Sequence, residues 1–275
     1  MLDKWAMYTT SIRPVRPRSS LTAASSARLA GADPSYPTTR HRSLTDGAEV
    51  FTTEGYAATV SFTRAELKAF TGATLPDLIA DGVRLLFTGI NPGLRSVAVQ
   101  GHFAPRGNRF YPALLRAGIT EHLIDASAGM STVDRAYLVD RGIGITSLVA
   151  RATASADELG PAELIEGARA LAERVRRFRP RAVAILGVTA YRAAFASPRA
   201  SLGRQPADLA GSQLWVVPNP SGRNAHASLD ALAAAYREVA LAAGVPISPP
   251  VPPVLQVPQT TPMEHQAGSM RPYGP

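Results

Sequence analysis

Val83-Arg84-Leu85-Leu86-Phe87-Thr88 runs straight into Gly89-Ile90-Asn91-Pro92-Gly93. The first six residues are a short apolar run that reads as a buried strand. The next five form a tight turn presenting one amide side chain, Asn91. The pattern recurs downstream, where Leu214-Trp215-Val216-Val217 meets Pro218-Asn219-Pro220-Ser221-Gly222. Between them, Ala182-Val183-Ala184-Ile185-Leu186-Gly187 is a strand of the buried type, and Gly142 to Val149 is a further candidate. Pro161 opens a long helix whose apolar face is Leu164, Ile165, Ala168, Leu171, Ala172, Val175 and Phe178. A helix also follows Gly187 through Tyr191, and the last helix spans about Ser228 to Ala243. Strands alternating with helices predict a three-layer α/β/α sandwich with a short, mainly parallel central sheet. Ligands of such sheets bind outside the carboxyl ends of the strands. The two Asn-Pro turns are therefore expected to converge on one site.

Upstream of the first strand, Thr63-Arg64-Ala65-Glu66 reads as a capping box opening a short helix through Phe70. Leu75-Pro76-Asp77-Leu78-Ile79 begins a second short element. A long loop is expected from Asn91 to Gly107, and then Asn108 as N-cap of a helix carrying Phe110, Leu114 and Leu115.

Composition sets the boundaries. Residues 1–58 are rich in Ser, Thr, Ala, Arg and Pro without a sustained apolar period, and residues 246–275 are rich in Pro. Neither segment carries enough apolar surface to offset the entropy of ordering. Both are expected to be disordered tails around one catalytic-size domain, residues 59–245. The net charge is +8, and the basic residues are nearly all arginine, with lysine only at Lys4 and Lys68. Arginine forks match phosphate oxygens, so the basic balance favours a polyanionic partner, with a merely solvated basic surface as the alternative. The N-terminal share of this charge (Arg13, Arg16, Arg18, Arg28, Arg40, Arg42) suits loose, sequence-independent contact with DNA. With no cysteine, disulfides, thiolate zinc, iron–sulfur clusters and a Cys nucleophile are excluded. Five scattered histidines point to no metal site, and no cofactor is expected. No apolar stretch approaches the ~18 residues of a membrane span, and no secretory h-region is present, so a cytoplasmic protein is expected.

No carboxylate lies between Gly89 and Tyr111. The Asn91 amide can donate and accept hydrogen bonds but cannot take a proton. Chemistry centred there suits a leaving group that departs early, so that a positioned water meets an already cationic sugar. Four segments stand in order: Gly89-Ile90-Asn91-Pro92-Gly93-Leu94, Gly101-His102-Phe103-Ala104, Gly107-Asn108-Arg109-Phe110-Tyr111 and Asn219-Pro220-Ser221-Gly222. Together they closely resemble the mismatch-specific uracil-DNA glycosylases, the family that also contains thymine-DNA glycosylase. The resemblance covers about Leu75 to Ala243.

The resemblance implies a base-flipping DNA repair enzyme, with roles assigned residue by residue. Asn91 matches the catalytic Asn that positions the attacking water at C1′. Ile90, Ser96 and Phe103 match base-binding positions, Phe103 stacking on the extruded pyrimidine. Asn219, Ser221, Gly222, Arg223 and Asn224 match the loop that enters the DNA, with Arg223 at the wedge position. Gly89, Pro92, Gly93, Asn108 and Arg109 match structural positions, Arg109 as loop brace or phosphate contact. Ser147 stands where some relatives carry Lys, and Tyr111 where Trp is common. His102 and His226 lie near the motifs and are expected to be structural. The implied partner is double-stranded DNA with a G·U mismatch, thymine or ethenocytosine opposite guanine being further candidate substrates. A monomer without cofactor, working upstream of an abasic-site endonuclease, completes the expectation. Strand-cutting glycosylases form a Schiff base through an amine, and Lys68 lies outside both motifs, so a monofunctional enzyme is expected. A lesion-binding protein without catalysis, another branch of the uracil-DNA glycosylase superfamily and a nucleotide-binding domain are the alternatives. The last lacks a GxxxxGK[ST] or GxGxxG loop.

Overall fold

The computed structural model describes residues 61–224 and 227–249. The N-terminal expectations, His226 and all but the first residues of the C-terminal tail lie outside the described residues.

The chain order is α1 (Arg64–Lys68), β1 (Leu85–Gly89), α2 (Leu94–Ala98), α3 (Phe110–Arg116), α4 (Thr132–Asp140), β2 (Ile143–Ser147), α5 (Pro161–Phe178), β3 (Ala182–Leu186), α6 (Val188–Ala194), β4 (Gly203–Arg204), β5 (Gln213–Val217) and α7 (Leu229–Ala242). The sheet order is β2-β1-β3-β5-β4. The first four of these run parallel, with Phe87 beside Ile145 and Ala184, and β4 lies antiparallel at the edge. Strands β1, β2 and β3 are buried on both faces. That is why they read as continuous apolar runs rather than alternating ones.

Alternate residues feed two cores. Leu85, Phe87, Ile143, Ile145, Ala184, Trp215 and Val217 pack beneath α3, α4 and α7. Leu86, Val183, Ile185, Leu214 and Val216 pack beneath α5 and α6. The result is the expected three-layer α/β/α sandwich with a five-stranded, mainly parallel sheet. Helix α5 buries Leu164, Ala168, Leu171 and Val175, each large side chain stabilising by about 1.5–3 kcal/mol relative to exposure. Ile165 turns out to be partly exposed, because it lies on the shoulder of the buried stripe.

Several local expectations are corrected. The supposed loop from Asn91 to Gly107 contains helix α2, which has Gly93 as N-cap and no side-chain cap, so no local signal announces it. Asn108 sits one residue before the N-cap position, which Arg109 occupies; the Asn108 Oδ1 nevertheless accepts the Phe110 N–H at 3.0 Å. The candidate strand over Gly142–Val149 shortens to β2 because Leu148 and Val149 leave the strand to bond Gly89 O and Ile90 O. The stretch from Leu75 forms neither helix nor strand, contributing a single bridge from Leu78 to Ile145. Packing also runs past residue 245. Ile247 covers the core of α3 and α7, and the Ser248 N–H bonds Gly118 O at 2.9 Å.

Candidate active site

The chain crosses from β2 back past β1 to β3, so the carboxyl ends of β1 and β3 diverge and leave a crevice. A cleft of about 1040 Å³ opens there. Its walls include Gly89, Ile90, Asn91, Pro92, Gly93, Ser96, Phe103 and Asn108 from the β1 side, and Asn219, Ser221, Gly222, Arg223 and Asn224 from the β5 side. The structure thus brings together every sequence-predicted site residue except Arg109, which stands behind the wall.

Asn91 is held by the segment after β2. Its Nδ2 donates to Thr153 Oγ1 at 2.7 Å and to Arg151 O at 3.1 Å. The Thr153 hydroxyl proton is itself given to Ser155 O at 2.7 Å, so Thr153 Oγ1 can only accept from Asn91. Both neighbours are acceptors, which fixes the amide with its NH2 toward them. Oδ1 is left to accept a hydrogen bond from a molecule in the cleft. The backbone is tied as well: Thr153 N–H bonds Pro92 O and Val149 N–H bonds Ile90 O. Arg151 is in turn clamped by Glu163 at 2.6 and 2.8 Å. This guanidinium, with the Gly160 N–H, holds the Glu163 carboxyl down at about 2.

Phe103 forms the other side. Its φ of 55° lies in the left-handed region, which costs a non-glycine residue about 1–2 kcal/mol. The ring is held by Phe110 at a centroid distance of 4.0 Å and lies over Gly89, where an added Cβ would come 3.5 Å from Phe103 Cε1. One apolar wall of the cleft is thereby a fixed aromatic ring. Ser96 is buried on α2, and Ser147 is buried at the end of β2 with its carbonyl taken by Arg174 at 2.9 Å. His102 is buried with Nε2 at 2.9 Å from Pro76 O. Desolvation lowers its pKa, more than the Pro76 bond raises it, so the ring is a neutral brace. Tyr111 donates its hydroxyl to His102 O at 3.0 Å, and burial pushes its pKa up; it too is packing.

The β5 loop is shaped from within. Asn219 Oδ1 accepts Ser221 N–H at 2.9 Å, and Asn224 Nδ2 donates to Asn219 O at 2.8 Å. Arg109 then gathers the loop from behind, donating to Ser221 O at 3.1 Å, Asn224 O at 2.7 Å and Ala227 O. Of the two roles offered for Arg109, the brace is the one its geometry fills, since its terminal nitrogens are spent on carbonyls. Gly222 is required where it stands: a Cβ would meet Gly107 O at 2.9 Å. Gly222 and Arg223 remain exposed, and Arg223 Nη1 reaches Ser155 Oγ at 3.4 Å.

Three cleft features were missed in the sequence. Thr153 and Ser155 act 62 and 68 residues away from their partners Asn91 and Arg223, a relation no local pattern carries. Leu186 to Thr189 also line the cleft; the strand-to-glycine pattern at Gly187 could have flagged them. Asp157 brings a carboxylate to the rim although none lies near Asn91 in sequence. It is exposed and bonded to Ser155 Oγ at 3.0 Å, so it is no buried general base.

A solution NMR structure of a Methanosarcina acetivorans protein, provisionally described as a uracil DNA glycosylase, is similar at 16% identity. It covers 60% of this chain and 96% of that one, with a TM-score of 0.41. The family model described as "Uracil DNA glycosylase superfamily" matches residues 76–241, more than half the chain. The chain belongs to the uracil DNA glycosylase superfamily. The matched region holds both Asn-Pro turns and the Arg151–Ser155 segment that orients Asn91. Membership makes DNA the substrate and N-glycosidic hydrolysis the reaction class.

Proposed function

We propose that this protein removes uracil mispaired with guanine from double-stranded DNA, leaving an abasic site. The observation carrying this reading is the Asn91 amide, locked by Thr153 and Arg151 with Oδ1 turned to the cleft. A base must leave the stack before chemistry can reach its glycosidic bond. In the proposed complex the extruded pyrimidine rests against Phe103 and Ile90, with Ser96 near its C5 edge. The C1′–N1 bond breaks first, its electron pair departing on the base. A water that donates to Asn91 Oδ1 then forms the O–C1′ bond and loses its second proton to solvent. Arg223 fills the vacated stack, while the exposed Gly222 backbone meets the orphaned guanine; Asn219, Ser221 and Asn224 hold the loop in shape.

No lysine lines the cleft among the described residues, which supports a monofunctional enzyme. Neutral His102 and the lack, among the described residues, of a carboxylate hydrogen-bonded to Asn91 support slow rather than vigorous turnover. Thymine and ethenocytosine opposite guanine are candidate substrates of the same pocket. A cytoplasmic monomer that hands its product to an abasic-site endonuclease completes the proposal.

Base release from labelled duplexes carrying G·U, A·U, G·T and G·ethenocytosine, and from single-stranded uracil, tests it. Release from G·U in preference to A·U, with strand breaks only after alkali, is expected. Equal release from all uracil contexts would remove the mismatch specificity. Selective G·U binding without release would make the protein a lesion-binding one.

A further inference from the structure

We propose that Arg106 grips a backbone phosphate of the uracil-bearing strand beside the extruded nucleotide. The inference rests on the glycosylase reading and assigns a contact beyond it. Arg109 was the arginine of this segment offered for phosphate, but its terminal nitrogens are consumed by the carbonyls of Ser221, Asn224 and Ala227. Arg106 stands differently. Asn108 N–H bonds Pro105 O at 3.0 Å, and Gly107 has φ +82°. This is a turn with glycine at its third position, the arrangement of a type II turn. Arg106 occupies the corner of that turn, on the cleft rim and exposed.

The turn is mounted rigidly. Gly107 O abuts Gly222, and Arg109 N–H bonds Pro220 O at 2.9 Å, so the turn is docked on the β5 loop. Among the described residues Arg106 makes no hydrogen bond or ion pair. Asp125 is close enough to feel its charge, but that carboxylate accepts the Ser127 N–H at 2.8 Å. A charged fork, fixed at its base and unpaired at its tip, on the rim of a DNA cleft suits a phosphate. The strand is assigned from the proposed pose of the base. Arg106 is three residues past Phe103, on the wall that receives the extruded base, which places it toward the strand that base comes from.

The test is equilibrium binding of full-length protein to a duplex with a tetrahydrofuran abasic analogue opposite guanine, measured from about 50 to 200 mM salt. Each neutralised phosphate contributes about −0.9 to the slope of log K against log salt. Arg106→Gln is therefore expected to bind more weakly and to flatten the slope by about 1. Its disadvantage relative to wild type then shrinks about 3.5-fold across that fourfold salt range. Arg106→Lys should restore the slope. Uncharged methylphosphonate linkages flanking the lesion on the analogue strand should abolish the difference between wild type and Arg106→Gln, while the same linkages on the guanine strand should not. An unchanged slope in Arg106→Gln, with wild type binding normally, overturns the phosphate contact alone. Methylphosphonates acting from the guanine strand overturn the strand assignment. Wild-type protein that fails to prefer this duplex over a matched one overturns the glycosylase reading and this inference with it.

Discussion

Replacing Thr153 by Val removes one hydroxyl from a nearly isosteric side chain and tests how the Asn91 amide is oriented. In the native arrangement the correct amide rotamer is favoured by two hydrogen bonds, to Thr153 Oγ1 at 2.7 Å and Arg151 O at 3.1 Å. Each is worth about 1 kcal/mol net. The flipped rotamer would forfeit both and set Oδ1 against two acceptors. In Thr153→Val a single bond and one acceptor are left to resist the flip, and one part-buried Nδ2 proton loses its partner. The loss at the site is about 1–2 kcal/mol, a factor of about 5–30 in rate. Because Thr153 is buried and its hydroxyl also donates to Ser155 O, global stability should fall as well, by about 2 kcal/mol. Single-turnover base release from a G·U duplex at saturating protein reads the rate, and a urea melt reads the stability. Thr153→Ser should recover most of the rate, since it keeps the hydroxyl and loses only a methyl. A Thr153→Val variant as fast as wild type would refute the orienting role. So would a Ser variant as slow as Val, because the effect would then follow packing rather than the hydroxyl.

Two further outcomes follow from the braces behind the site. Arg109→Ala should destabilise the protein by about 2–3 kcal/mol, the scale of lost charge-assisted bonds, and should weaken G·U duplex binding by loosening the β5 loop. Arg109→Lys should rescue little, because one ammonium cannot span three carbonyls; denaturant melts and duplex titrations check both. Glu163, held at about 2 against an ordinary 4.5 by Arg151 and the Gly160 N–H, is depressed in the folded state. Its contribution to stability is present above pH 4.5 and is lost as the pH falls toward about 2. Glu163→Gln should therefore show a shallower decline of urea midpoint than wild type across that window, and no shallower decline would dismiss the clamp.

The readable parts of the chain were those whose physics is local. Strands β1, β3 and β5 announced themselves because two-sided burial demands unbroken apolar runs. The two Asn-Pro turns could be placed together because strand ends of a parallel sheet share one edge. Helix α5 was legible from Pro161 and its period, whereas α2 was not, being five residues long with a glycine cap. Edge strand β4 is two residues held by β5 alone, too short to leave a pattern. The same limit governs the site. Asn91 and Phe103 sit in recognisable turns, but what fixes Asn91 is a threonine that looks like any loop threonine. Arg109 read equally as phosphate contact or brace, and only the positions of the Ser221, Asn224 and Ala227 carbonyls decide between them.

The proposed base release turns on the Asn91 amide holding a water at C1′. The decisive comparison is uracil release from a G·U duplex by wild type and by Asn91→Ala, under single-turnover conditions at saturating protein. Release by wild type is expected, with a loss of at least about 100-fold in the variant, on the order of removing one pre-organised transition-state contact, and with duplex affinity retained. Release by Asn91→Ala at the wild-type rate would contradict the assignment of the water to Asn91.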